Sequence, residues 1–267
     1  MAHYAIEAHG LSIRQACRVV KISRTAFYYR SKLSDDEKIA AKLRLLAEAK
    51  PRWGFGKMFP WLRRKGYSWN HKRVHRIYCD LKLNIRTKPK KRLPSRNPQP
   101  LAQPKSANCC WSLDFMHDGL ITGRPFRIFH VLDDFNRELL GTEIDTSLPT
   151  ERVIRTLEQI ADWRGYPEYV RVDNGPEFIS SKLTAWAERN NVIIDFIDFI
   201  EPGKPAQNAY IERFNRTYRE DVLDLYLFRT LTEVRELSSE WSHEYNGERP
   251  HESLNNMTPY EYLKTFT

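Results

Sequence analysis

At 267 residues the chain holds one full-sized core with room for one or two small domains. Its formal charge of +9 points to a polyanionic partner. Four cysteines without a CxxC pair exclude a disulfide framework and a zinc ribbon and fit a reduced, intracellular protein. The first residues lack a basic start followed by an apolar run, and no stretch approaches the roughly 18 apolar residues of a membrane span, so neither export nor a membrane is expected.

The charge is unevenly placed. Residues 1–105 carry 26 Lys and Arg against 6 Asp and Glu, whereas 106–267 carry 17 against 28. The basic part suits a phosphate backbone. An acidic part beside nucleic acid needs a reason, and bound divalent cations are one.

In chain order, residues 11–33 read as a short helix, a turn at Lys21-Ile22 and a second helix capped by Ser23, which is helix-turn-helix spacing. That second helix would show Arg24 and Arg30 with Tyr28 and Tyr29; a groove-reading helix and an ordinary helical hairpin both fit. A similar unit follows at 54–83, where Asn70 caps a helix bearing Lys72, Arg73 and Arg76. His71, His75 and Cys79 recur every four residues on it, but with no evident fourth ligand packing is the favoured reading over a metal site. Residues 86–105, with five prolines and seven Lys or Arg that include Lys90, Lys91 and Arg92, form neither a helix nor an interior strand. They read as an extended linker, either a basic arm along DNA or a tether.

From Trp111 short apolar runs predict three strands, with turns at Gly123 and Asn136-Arg137. A helix over 150–164, a strand over 169–173, a helix near 178–190, a strand from Val192 and a helix from about Asn208 to Leu225 follow. This order predicts an α/β fold with a mixed sheet. The expected boundaries are 1–48 and 49–85 for two helix-turn-helix segments, 86–108 for the linker, 109–228 for the mixed-sheet core and 229–267 for a C-terminal helical tail.

Asp114 falls in the middle of an apolar strand, where a carboxylate is costly unless it is paired or binds a cation. Asp173 closes a strand before the sharp Asn174-Gly175-Pro176 exit, and Glu212 lies on the first turns of a helix. If the two aspartates stand on adjacent strands and the helix crosses the sheet edge, three carboxylates meet as oxygen ligands for hard cations, and two ions there would suit phosphodiester chemistry. Acidity alone does not select this triad from Asp118, Asp133, Asp134 and Asp145, each of which reads singly as a solvated surface group.

The stretches WSLDFMHDGL, FRIFHVLDDFNRELLGTEIDTSLP, VRVDNGPEF, PGKPAQNAYIERFNRTYRE and YNGERPHESLNNMTP closely resemble the OrfB-type transposases of the insertion sequence three family, and WGFGKMFPWLRRKGYSWNHKRVHRIY resembles that family's second DNA-binding segment. The resemblance spans nearly the whole chain. It implies an RNase H-like, retroviral-integrase-like core and a DDE transposase that nicks 3′ ends and transfers strands with two Mg²⁺ ions, for which Mn²⁺ substitutes. It assigns Asp114, Asp173 and Glu212 as catalytic and metal-binding residues and Asn174 and Gly175 as residues that shape the site. Arg216 and Arg219, at i+4 and i+7 from Glu212, share its helix face and would hold phosphates, or are simply solvated charges. The implied partners are double-stranded DNA, further copies of the chain on that DNA and an upstream OrfA product; the implied location is the bacterial cytoplasm, at the nucleoid.

Thirty-eight residues separate Asp173 from Glu212, three more than the family pattern, and Asp195-Phe196-Ile197 is repeated at once as Asp198-Phe199-Ile200. The favoured expectation is that the extra triplet bulges out before Pro202 and leaves Glu212 in place. The alternative is an impaired copy that binds transposon ends as a regulator. A tyrosine recombinase using Tyr218 lacks the Arg and His cluster needed to activate it. His251, in the YNGERPH stretch, is expected to be a turn residue rather than a DNA contact.

Overall fold

The computed structural model describes residues 1–29, 36–85, 103–196 and 208–266. Lys90, Lys91, Arg92, Arg30, the second copy of the Asp-Phe-Ile repeat and the expected bulge before Pro202 lie outside them. The chain divides into two compact units, Met1–Leu45 and Leu46–Thr267.

In the first unit α1 (Ala2–His9) precedes α2 (Ile13–Val19) and α3 (Arg24–Tyr28). Ser12 and Gln15 form a reciprocal capping box on α2, and Ser23 caps α3 by accepting from the Ala26 amide. Lys21 takes a positive φ of 57° in the turn between them, as expected for the helix-turn-helix spacing. Arg24 is exposed at the start of α3. α4 (Asp36–Ala49) crosses the division between the units.

The second unit begins with α5 (Phe55–Arg64) and α6 (His71–Asp80), whose Met58, Leu62, Val74, Ile77 and Tyr78 are buried. Asn70 caps α6 through the Lys72 and Arg73 amides. The His71 and His75 rings pack edge-on against Phe55, so these histidines join the packing of the pair. Lys72 and Arg76 are exposed, Arg76 within 4.0 Å of Asp80, and Arg73 is half-buried.

A five-stranded sheet follows, built from β1 (Cys110–Gly119), β2 (Pro125–Asp133), β3 (Leu139–Asp145), β4 (Tyr169–Val172) and β5 (Ile193–Phe196) in the order β3-β2-β1-β4-β5. The first three strands form an antiparallel meander, whereas β4 and β5 join in parallel. The crossovers are α7 (Thr150–Arg164) and α8 (Ser181–Arg189). This is the mixed sheet that the sequence predicts.

Strand alternation assigns the faces. Trp111, Leu113, Val170 and Val172 join α7 and α8 in one apolar cluster. Met116, Ile128 and Leu132 join a second cluster with α9 (Ala209–Tyr218) and α10 (Leu231–Gly247). Gly141 lets α7 lie close on β3, since a Cβ there would come within 2.7 Å of Ile160. The C-terminal helices α10 and α11 (Pro259–Lys264) are part of the packing: Trp241 and Tyr245 sit against Phe214, and α11 carries its own capping box.

Candidate active site

The parallel register of β1 and β4 pairs Cys110 with Tyr169, Trp111 with Val170 and Ser112 with Arg171. Carried on by two residues, it sets Asp114 beside Asp173 just past the end of β4. Because Leu113 and Val172 face the α7–α8 cluster, their neighbours Asp114 and Asp173 face the α9 side.

α9 presents Ile211, Phe214 and Tyr218 to the core and carries Glu212 exposed on its first turn. One turn on, Asn215 donates from Nδ2 to Asp114 Oδ2 at 2.7 Å. Asn215 Oδ1 accepts from His130 Nδ1 at 2.9 Å, and His130 is fully buried in β2. The Phe115 amide donates to the other Asp114 oxygen at 2.8 Å. Burial pushes the Asp114 carboxyl up to about 6; the charges of Asp173 and Glu212 add to the rise, while the Phe115 and Asn215 hydrogen bonds oppose it. Asp114 therefore feels both other acids, an arrangement that a cation would relieve.

Asp173 is exposed, and Gly175 shapes its surroundings directly. The Gly175 amide donates to Asp173 Oδ1 at 3.1 Å, and a Cβ on Gly175 would stand 2.9 Å from that same oxygen. Asn174 is exposed beside it. The turn is anchored by Phe178, which is fully buried, and by an ion pair between Glu177 and Arg127. Among the described residues no three carboxylate, His or Cys side chains stand close enough to hold an ion as they are.

Other acids resolve differently from the expectation of solvated surface groups. Asp133 and Asp134 are fully buried. Asp133 pairs with Arg164, and Asp134 accepts from Ser112 at 2.7 Å and from Arg171 at 2.9 Å. Both hold the sheet together, because a buried charge persists only when paired. Asp118 pairs with Arg219 at 3.3 Å, and Arg219 also donates to the His117 carbonyl at 2.8 Å. Arg219 thus ties the π-helical turn Arg219–Leu223 to β1, while Arg216 is exposed. Tyr218 is fully buried, bonded to Ser238 at 2.5 Å and pushed up to about 12, first by burial, so no nucleophile is available there. His251 packs on the Tyr245 ring and its backbone bridges to Met257, a turn role.

Sequence reasoning missed Asn215 and His130. A polar residue one turn after Glu212 was the only signal, and it marks an ordinary helix equally well.

The chain matches the integrase core domain family over residues 104–205 and again over 196–259, and the HTH-like domain family over 34–92. It is 38% identical over 257 residues to an uncharacterized 31.7 kDa protein of insertion element IS407 from Burkholderia multivorans, covering 96% of this chain and 92% of that one. The chain belongs to the OrfB-type transposases of the insertion sequence three family. An uncharacterized 39.2 kDa protein of insertion element IS476 from Xanthomonas euvesicatoria is 36% identical, over 98% of this chain and 75% of that one. The putative transposase InsK of element IS150 from Escherichia coli is 25% identical, covering 92% and 91%. The fold is that of a chain in the structure of the simian T-cell lymphotropic virus intasome in complex with PP2A regulatory subunit B56 gamma, with a TM-score of 0.51 at 14% identity over 83% of this chain and 74% of that one.

Proposed function

We propose that this transposase nicks the 3′ ends of its element and joins them to DNA at a divalent-metal site formed by Asp114, Asp173 and Glu212. The observation that carries the reading is the β1–β4 register, which brings Asp114 beside Asp173, together with the 2.7 Å hydrogen bond to Asp114 from Asn215, one turn after Glu212 on α9. The donor set fits Mg²⁺, with Mn²⁺ as substitute, because all three side chains offer hard oxygens. Two such ions, when bound, supply an activated water or 3′-OH and neutralise charge on the leaving oxygen.

The chain's own residues do the rest. Asn215, steadied by His130, orients Asp114; the Gly175 amide orients Asp173. Exposed Arg216 meets a phosphate beside the acids, and Arg219 holds the helix to β1. Arg24, Lys72, Arg73 and Arg76, together with Lys90, Lys91 and Arg92, position the duplex through its backbone without reading its sequence. The protein acts in the bacterial cytoplasm at the nucleoid, assembled as several copies on double-stranded DNA with an upstream OrfA product supplying end recognition. No helix among the described residues is long and apolar enough to cross a membrane.

A second reading, an impaired copy that occupies transposon ends, is favoured by the absence of a closed ion-holding group among the described residues. One assay separates the two: Mg²⁺- or Mn²⁺-dependent 3′ nicking of an end-containing duplex by the unmutated chain, lost in Asp114→Asn. Binding without nicking by the unmutated chain supports the regulator instead.

A further inference from the structure

Beside α9, on the flank away from the acids, lies a cavity of about 730 Å³ within the second unit. Tyr210, Arg213, Phe214 and Thr217 line it at i, i+3, i+4 and i+7, one helical stripe, while Glu212, Asn215 and Arg216 occupy the opposite stripe. Arg52, Lys57, Arg137, Arg213 and Arg249 all reach this cavity, and Glu252 is the one acid in its lining.

Several of these cations are costly where they stand. Arg137 is only 8% exposed, its guanidinium lies 3.3 Å from the Tyr210 ring centre, and its Nη1 has no hydrogen-bond partner among the described residues. Arg249 is 6% exposed and ion-paired with Asp221. Burial, and then Arg249, pull Lys57 down to about 8, with Arg213 adding to the fall and Asp221 and Glu220 opposing it. Cations collected in a half-enclosed space, with an orphaned donor among them, are complementary to an anion. Aromatic walls from Tyr210, Phe55 and Phe59 suit a base, and the volume is that of a small-ligand pocket, too narrow for a duplex.

We propose that this cavity is a nucleotide-binding pocket that takes an unpaired nucleotide of the DNA strand, its phosphate held by Arg137 and Arg213 and its base against Tyr210. The proposal rests on DNA as substrate, and it adds where an unpaired strand end goes. α9, ~10 Å across with its side chains, separates the pocket from the acids, so one helix would register both the reacting phosphate and a neighbouring unpaired nucleotide.

The test compares labelled duplexes with blunt ends and with a short single-stranded tail, read by fluorescence anisotropy in EDTA so that no cleavage intervenes. The unmutated chain is expected to bind the tailed duplex more tightly. Arg52→Gln combined with Arg213→Gln, both exposed side chains, is expected to lose about tenfold on the tailed duplex and little on the blunt one, with unchanged melting. Equal loss on both duplexes, or none on either, overturns the pocket. A photocrosslink from a 5-iodouracil in the tail is expected at Tyr210; a crosslink confined to other surfaces overturns it as well. Protection of Lys57 from an amine-reactive reagent gives the separate arm. A short single-stranded oligonucleotide is expected to protect, while equal protection by deoxynucleoside monophosphate or inorganic phosphate assigns the pocket to free ligands and overturns the strand. If the blunt duplex does not bind at all, the proposed action of this chain on duplex ends fails, and oligonucleotide protection of Lys57 still decides the pocket.

Discussion

Asn215 joins His130 to Asp114: its Oδ1 accepts from the buried imidazole at 2.9 Å and its Nδ2 donates to the carboxylate at 2.7 Å. The amide does both at once through separate atoms, its oxygen accepting and its nitrogen donating. Asn215→Ala is expected to leave His130 Nδ1 and Asp114 Oδ2 without this partner, lowering stability by about 1–3 kcal/mol and nicking by about 10- to 100-fold. Asn215→Asp keeps the histidine's acceptor but sets a second carboxylate against Asp114, so the acid limb of the nicking pH profile should move upward. An unchanged profile in Asn215→Asp, with normal metal affinity by calorimetry, would remove Asn215 from its positioning role.

Asp114 holds its charge at a cost to the fold. A carboxyl raised from 3.8 to about 6 is destabilising at neutral pH. Asp114→Asn removes that charge while giving up one accepted hydrogen bond, and is expected to gain stability on the order of 1 kcal/mol at pH 7.5. Nicking should vanish. Added Mg²⁺ should raise the melting temperature of the unmutated chain and leave that of the variant where it was; a variant that melts lower than the parent without metal contradicts the account.

Gly175→Ala tests the turn after Asp173. Its Cβ would stand 2.9 Å from Asp173 Oδ1, the free end of an exposed side chain, so the carboxylate swings away and the backbone stays. Stability should change by under about 0.5 kcal/mol, as for surface substitutions that leave packing alone. Nicking should fall at least tenfold by the effect of misplaced reacting groups. Equal loss of melting temperature and activity would mean a folding defect.

His251 should show itself in acid unfolding. Burial first, then Arg249, Lys57 and Arg137, take its pKa from 6.5 down to about 3, so it is neutral in the fold. Below pH 6.5 the unfolded chain gains a proton there that the folded chain refuses, so stability falls with pH through that window and levels off beneath about 3. Asp114 works in the opposite sense, since its folded carboxyl is the more basic one, and the informative quantity is therefore the difference between the parent and His251→Gln. Urea titrations from pH 6.5 to 4 should give the parent a loss steeper by about 1.4 kcal/mol per pH unit. Parallel curves would show that the imidazole titrates normally in the fold.

The fold was legible because its elements carry local signals. Apolar runs broken at Gly123 and Asn136-Arg137 give the meander, and Ser23 and Asn70 announce helix starts with side chains that bond their own amides. The face on which Asp114 and Asp173 stand was legible for a related reason: a strand's two-residue period, once its apolar face is known, says where every other residue points. What the sequence left hidden is contact across distance. Asn215 lies 101 residues from Asp114, and nothing local separates it from a solvated helix residue. Asp133 and Asp134 read as surface acids because their cations, Arg164 and Arg171, arrive from α7 and β4. Arg219, read as a DNA contact beside Glu212, is engaged by Asp118 and the His117 carbonyl for the same reason.

The way α10 meets β3 bears on self-association. β3 is an outermost strand, and such strands offer unpaired amides and carbonyls to any passing chain. Here Asn246 fills both the donor and the acceptor of Leu139, at 2.9 and 2.8 Å, and Arg235 occupies the Ile144 carbonyl at 2.7 Å. Side chains from one helix thus stand in for a neighbouring strand at both ends of β3. A second strand approaching this border of the sheet would find its two ends already occupied.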